Sequence, residues 1–193
     1  MNAFERARGL VNGAHEADPQ RTHDGRAAEL DYADKMEAWV KRLVPDASEL
    51  LLLAARCQHL ERWSVPRASY PEGRVGYLTW RKFLYGKQAG RAKELLLQAG
   101  VSEAEAEEVA TWVSKTGLKT NAGTQALEDA AILVFLENES LAFVAQHADY
   151  PHEKFLNILR KNWAKLSSAG QQAALGLELP AEVAAMIREA LGG

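Results

Sequence analysis

The sequence predicts an all-α protein, and three observations carry that expectation. Ala, Leu, Glu, Lys, Arg and Gln dominate the chain, and these residues lose least free energy on entering a helix. Apolar residues recur at helical spacing, while the period-two alternation of β-branched residues that marks strands is missing. Helix start and stop signals recur along the length, from Pro45 and Gly100 to Pro151 and Pro180. The expected architecture is an irregular helical bundle of about seven to nine helices. Its 193 residues suit a single domain spanning 1–193, with a core over about 26–166 and a C-terminal helical appendage at 167–193.

The elements follow in order. A first helix is predicted over Ala3–His15, stopping ahead of Asp18 and Pro19. A second runs over Arg26–Leu43, with Tyr32, Met36, Trp39 and Leu43 stacked on one face. Pro45 breaks it. Asp46 then reads as an N-cap with Glu49 three residues on, a pattern in which two side chains satisfy orphan backbone donors. The helix so opened is predicted to run through Cys57 and His59 to Trp63. Its first turns are apolar on nearly all sides, as befits a central helix. Pro66, Pro71, Gly73 and Gly76 rule out a regular helix in the next stretch. A loop of that length in a compact domain is often functional.

The next helix is predicted over Tyr77–Ala99, with a bend or break at Gly86 or Gly90 and a stop at Gly100. Ser102 with Glu105 opens a helix to about Lys115. A loop follows, then the helix Thr124–Glu137, almost wholly apolar after its first turn. Shorter helices fill the remainder, with Pro151 and Pro180 as first-turn residues and a last helix over Pro180–Leu191. The predicted core includes Trp39, Leu52, Ala55, Leu60, Ile132, Leu133 and Leu136.

Composition narrows the function classes. A chain that is 47% hydrophobic and 25% charged is an ordinary globular one. A formal charge of -3 argues against wholesale attraction to nucleic acid or membrane. Cys57 is the sole cysteine, so no internal disulfide forms, and in an apolar setting its thiol reads as an inert packing group. The first residues lack the apolar core of a secretory signal. The longest apolar run, Ala130–Leu136, is too short to span a bilayer. The expected localisation is cytoplasmic. Neither a phosphate-binding GxxxxGK[ST] loop nor GxGxxG, HExxH, CxxC or GxSxG is present.

The polarity is local. Between Arg56 and Lys93 lie nine Lys and Arg against Glu61 and Glu72, a formal +7, so the remainder of the chain carries -10. Trp63, Tyr70, Tyr77, Trp80, Phe83 and Tyr85 lie among those cations. Guanidinium groups pair with oxyanions in two-pronged fashion and stack on rings, so this mixture suits a small anionic, phosphorylated ligand. Arg62, Arg67, Arg74 and Arg81 are the candidate anion contacts, with Tyr70 or Trp80 stacking on a ring and Lys115 and Lys119 adding charge from a second side. The plain alternative is a solvated surface paired with the acidic remainder.

His59 is the candidate general acid–base. On a helix it would lie beside Leu52, Ala55 and Trp63, facing inward, and position alone favours a hydrogen-bonded core histidine. Glu128 and Asp129 sit on an apolar helix, so at least one buried carboxylate there needs a cation, a donor or a metal.

Several long motifs carry a resemblance. Ala54–His59 with Arg62-Trp63, Pro66-Arg67, Tyr70-Pro71, Gly76-Tyr77 and Trp80-Arg81 forms one block. Gln125–Asp129 with Leu133–Leu136 forms a second, and Ile158–Lys161 with Trp163 a third. Together they resemble the family catalogued as domain of unknown function 4202, over nearly the whole chain. That resemblance implies a helical fold and supplies no activity. A looser likeness is to the HD-domain phosphohydrolases, whose metal ligands are a histidine, a His-Asp pair and a later aspartate. His59 matches the central histidine and Asp129 the last aspartate. Leu60 stands in place of the paired aspartate and Tyr32 near the place of the first histidine. The likeness implies a divalent metal at His59 and Asp129, with the missing ligands against it.

The resulting expectation is a protein that recognises a small phosphorylated or nucleotide-like anion. One version turns it over as a phosphohydrolase, with His59 as acid–base and Asp129 as orienting partner or metal ligand. A second is a non-catalytic sensor, of which single-stranded RNA binding is a weaker variant. A third is an interaction module whose basic, aromatic loop docks an acidic protein.

Overall fold

The computed structural model describes residues 1–192 and is all-α. Among the described residues ten α-helices form, slightly more than expected: α1 Ala3–Glu16, α2 Ala28–Leu43, α3 Glu49–Arg56, α4 Gly73–Gln98, α5 Glu103–Val113, α6 Ala122–Val134, α7 Ser140–Gln146, α8 His152–Lys165, α9 Ser168–Leu175 and α10 Ala181–Ala190. Short 3-10 turns occupy Arg62–Ser64 and Arg67–Ser69, and a π-helical turn occupies Phe135–Glu139. The extended pairing among these residues is one isolated bridge between Arg21 and Ala27. No described helix is long and apolar enough to cross a membrane. The chain divides into two compact units, Met1–Leu127 and Glu128 onward.

Caps fix the helix starts in the first unit. Asn2 accepts from the Glu5 amide at 2.8 Å while the Glu5 carboxylate accepts from the Asn2 amide at 2.7 Å. Ser102 and Glu105 form the same reciprocal box at α5, as the spacing predicts. The cap of α3 is Ser48, whose Oγ accepts from the Leu51 amide at 3.1 Å, and not Asp46. Ser48 carries the extended backbone that an N-cap needs, whereas Asp46 lies in the preceding turn. Of the predicted core, Trp39, Ala55, Leu60, Ile132, Leu133 and Leu136 are buried. Leu52 is half-exposed, and its neighbours Leu51 and Leu53 point inward instead.

Two expectations about helix length fail in opposite directions. The α4 helix is continuous through Gly86 and Gly90, because it packs along α1 and α5 and tertiary burial outweighs the cost of two glycines. The α3 helix stops at Arg56, seven residues short of Trp63. In a longer helix the Arg56 carbonyl would accept the Leu60 amide. Here His15 Nε2 donates to that carbonyl at 2.7 Å, and the Leu60 amide turns to Cys57 at 3.4 Å. A ring nitrogen facing a carbonyl must carry the proton, which fixes the tautomer of His15.

The Arg56 side chain anchors the same point from below. It is buried, and it donates to Asn12 on α1 at 2.9 Å and to Asp34 and Glu37 on α2 at 2.7 and 2.9 Å. Glu37 also receives both arms of Arg8, at 2.7 and 3.0 Å, and Lys41 at 2.8 Å. Burial alone would raise the Glu37 pKa, but the donors from Arg8, Lys41 and Arg56 prevail and lower it to about 2.

In the second unit Phe155, Leu156, Met186 and Ala190 form a core against which Phe143, Val144, Tyr150 and Leu159 pack. Pro151 and Pro180 sit at the N-caps of α8 and α10, one place earlier than predicted. The predicted α-helix through Glu137 widens into the π turn after Val134, and Ser140 Oγ donates back to the Leu136 carbonyl at 2.7 Å.

Removing the Arg56 guanidinium leaves two acids without their shared cation. Arg56→Met is expected to cost about 3–5 kcal/mol in urea unfolding at pH 7. The loss should shrink at acid pH, because the Glu37 contribution is full above the ordinary carboxylate range and disappears as pH falls toward about 2. A change under 1 kcal/mol would remove the anchor role.

Candidate functional site

Four non-glycine residues among those described have positive φ: His59 at 58°, Glu61 at 52°, Lys115 at 61° and Lys119 at 75°. Each such conformation costs on the order of 1–3 kcal/mol and persists where the surroundings over-determine it. They fall in two segments, the turn after α3 and the loop after α5. His59 therefore lies on a strained turn and not on a helix, which corrects the predicted neighbours. Leu60 goes into the core while His59 stays 28% exposed at its side chain.

The His59 ring is held on several sides. The Tyr32 ring from α2 stacks on it, with centroids 4.0 Å apart and planes 11° from parallel. Glu29, one turn before Tyr32, places Oε2 3.7 Å from Nδ1. Arg62 Nη1 lies 3.4 Å from both ring nitrogens. That equidistance sets the guanidinium against the ring and not at the end of an N–H. The imidazole pKa lies well below its ordinary value, first through burial and then through the nearby charges of Arg62, Lys115, Arg81 and His15. His15 is lowered too, chiefly by burial.

Arg62 links His59 to the aromatic face of α4. Its guanidinium carbon is 5.0 Å from the Trp80 ring centre, and it makes no ion pair with the described residues. Trp80 is buried and donates its Nε1 to the Val65 carbonyl at 2.9 Å. Along α4, Arg81 lies 5.7 Å from the Tyr77 ring and 5.3 Å from the Tyr85 ring, and Lys115 Nζ reaches within 5.8 Å of Tyr85. Arg62 touches the His59 ring, while Arg81 and Lys115 reach it through their charge.

Other candidates go elsewhere. Arg67 donates to the carbonyls of Tyr70 and Pro71, each at 2.9 Å, and of Gly73 at 3.4 Å. Its fork ties the loop to the start of α4, satisfying carbonyls on both sides of Pro71. Gly76 seals that loop: a Cβ there would stand 1.9 Å from the Pro71 oxygen. Tyr70 packs against Phe83 with centroids 6.2 Å apart. Arg74 is exposed, with no ion pair among the described residues, and Lys119 is exposed on its strained loop. Glu61 holds Arg91 at 2.9 Å.

Glu128 and Asp129 belong to the second unit, and both are buried. Glu128 accepts from Lys165 at 3.0 Å. Asp129 accepts from the Ser167 amide at 2.9 Å and from the Ser167 hydroxyl, where α9 begins. Gly170 lets that turn approach, since a Cβ would lie 2.8 Å from the Asp129 carboxyl carbon. These are the partners that a buried carboxylate pair demands. Among the described residues no three His, Cys, Asp or Glu side chains converge as a metal site would need, so nothing here unites a ligand set around the expected His59 and Asp129. Two recesses in the second unit, one lined by Leu136 and Trp163 and the other by Phe135 and Phe155, carry no charged side chain.

Sequence reasoning missed Glu29. Its i, i+3 spacing from Tyr32 puts both on one face of α2, but nothing in the sequence joins that face to His59.

Nuclear magnetic resonance titration checks the site. The His59 imidazole is expected to stay neutral at pH 6.5, and Arg62→Ala to move its midpoint upward. A midpoint at the ordinary value of about 6.5, unmoved by the variant, would contradict the geometry. Both His15 and His59 have folded values below the unfolded one. Their contribution to stability is therefore full above about pH 6.5 and is lost as pH falls below it.

The family described as a domain of unknown function (DUF4202) matches residues 5–187. No curated protein and no solved structure matches the chain.

Proposed function

We propose, for a chain that belongs to the domain of unknown function 4202 family, that the cations around His59 bind a small phosphorylated anion. One observation carries the reading. The Arg62 guanidinium is half-buried against two rings, His59 and Trp80, and has no carboxylate partner among the described residues. A guanidinium held flat on rings keeps its donors directed for an oxyanion and loses little freedom on binding. Arg81 and Lys115 strengthen the positive field there, as the lowered His59 pKa reflects. The strained turn beside Arg62, the loop bearing Lys115 and the helix α4 bearing Arg81 hold those groups in place before a ligand arrives, which reduces the entropy that binding must overcome.

A second reading, hydrolysis of a phosphate ester, is favoured by the Glu29 carboxylate 3.7 Å from His59 Nδ1. A carboxylate on that side favours a proton at Nδ1 and leaves Nε2 with a free electron pair, the state a general base requires. In this reading Glu29 takes the orienting role expected of Asp129, whose oxygens hold Ser167.

Thermal unfolding with inorganic phosphate and pyrophosphate tests the first reading. At a hundredfold excess over Kd, binding adds about 2.7 kcal/mol, which raises Tm by roughly 5–10 °C for a chain of this size. Arg62→Ala should abolish the rise, and Arg74→Ala should leave most of it. No rise with either anion on the native chain would exclude the site. Phosphate release from 4-nitrophenyl phosphate, lost in His59→Gln, would establish the second reading.

A further inference from the structure

Resting on that anion site, we infer that its ligand is a nucleoside phosphate, with the base stacked on Tyr77 and the phosphate held by Arg81 and Arg62. Tyr77, Arg81 and Tyr85 are spaced four residues apart on α4, so they occupy successive turns of one face, about 6 Å apart along the axis. Ring and cation alternate: Arg81 lies 5.7 Å from the Tyr77 ring and 5.3 Å from the Tyr85 ring, and Lys115 lies 5.8 Å beyond Tyr85. The Tyr85 end of this ladder carries the cations. The Tyr77 end carries exposed apolar surface.

Tyr77 is 41% exposed, so its ring presents aromatic surface to solvent. Its ring leans on Trp80 with centroids 6.0 Å apart, and Trp80 in turn carries Arg62 at 5.0 Å. The exposed Tyr77 ring therefore adjoins the Arg81 guanidinium directly, and the buried Trp80 links it to Arg62. A bare phosphate would use only the cations and leave that surface wet. A ligand with a flat ring one sugar away from its phosphate covers both, because one ladder step of about 6 Å separates ring from guanidinium. Stacking on a tyrosine face accepts any base, so the geometry assigns the nucleotide class and not one base.

Calorimetric titration of the full chain with inorganic phosphate, ribose 5-phosphate, adenosine 5'-monophosphate and an eight-residue oligoadenylate tests this. The monophosphate is expected to bind about tenfold tighter than ribose 5-phosphate. In Tyr77→Leu that ratio should fall to about one, and in Tyr77→Phe, which keeps the ring, it should persist. Circular dichroism confirms that each variant is helical. Equal affinity for the sugar phosphate and the nucleotide overturns the inference and leaves the anion site standing. A ratio that survives Tyr77→Leu also overturns it, as does an oligoadenylate that binds far tighter than the monophosphate, which assigns the ladder to single-stranded nucleic acid. Failure of every compound, inorganic phosphate included, removes the anion site and this inference together.

Discussion

A single buried arginine holds the first unit in order. Arg56 uses its side chain and its carbonyl at once. The guanidinium meets Asn12, Asp34 and Glu37, and the carbonyl receives His15. Buried ion pairs add little net stability, because desolvation cancels most of the attraction. Their effect here is to fix position. Three helices are tied at the residue where α3 ends, and the chain must leave that helix in the one direction that the His15 bond permits. The left-handed turn bearing His59 starts three residues later. His59 and Arg62 depend on that exit.

The adjacent thiol shows what the anchor excludes. Cys57 is fully buried beside Arg56, and burial pushes its pKa up to about 12. A neutral thiol is a poor nucleophile and a poor metal ligand. The sequence expectation of an inert packing group agrees with this placement.

Much of the fold was legible in the sequence because its causes are local. Composition, the Ser102–Glu105 box and the breaks at Pro45 and Gly100 all act within a few residues. The basic, aromatic block was legible for the same reason, and its Arg62 lies against the His59 ring. What failed has distant causes. The end of α3 is set by His15, 41 residues away in the chain. Arg67 looked like a ligand contact, but its donors are taken by the carbonyls of Tyr70 and Pro71. Glu29 was invisible because its significance comes from a turn that no periodicity foretells. Asp129 was correctly read as a carboxylate in need of a donor, while the donor itself, Ser167, lies 38 residues on.

The π turn between Phe135 and Glu139 has a consequence for reading this chain by its helical rhythm. It accommodates one residue more than an α-helix would across that span, so the apolar stripe is thrown out of phase. Beyond that offset Phe143 and Val144 pack against the core of the second unit. A family member one residue shorter in this segment would run as plain α-helix. It would have to carry its apolar positions one place earlier to keep the same side inward. Length differences at this point would therefore look like substitutions throughout α7, although a single insertion accounts for them all.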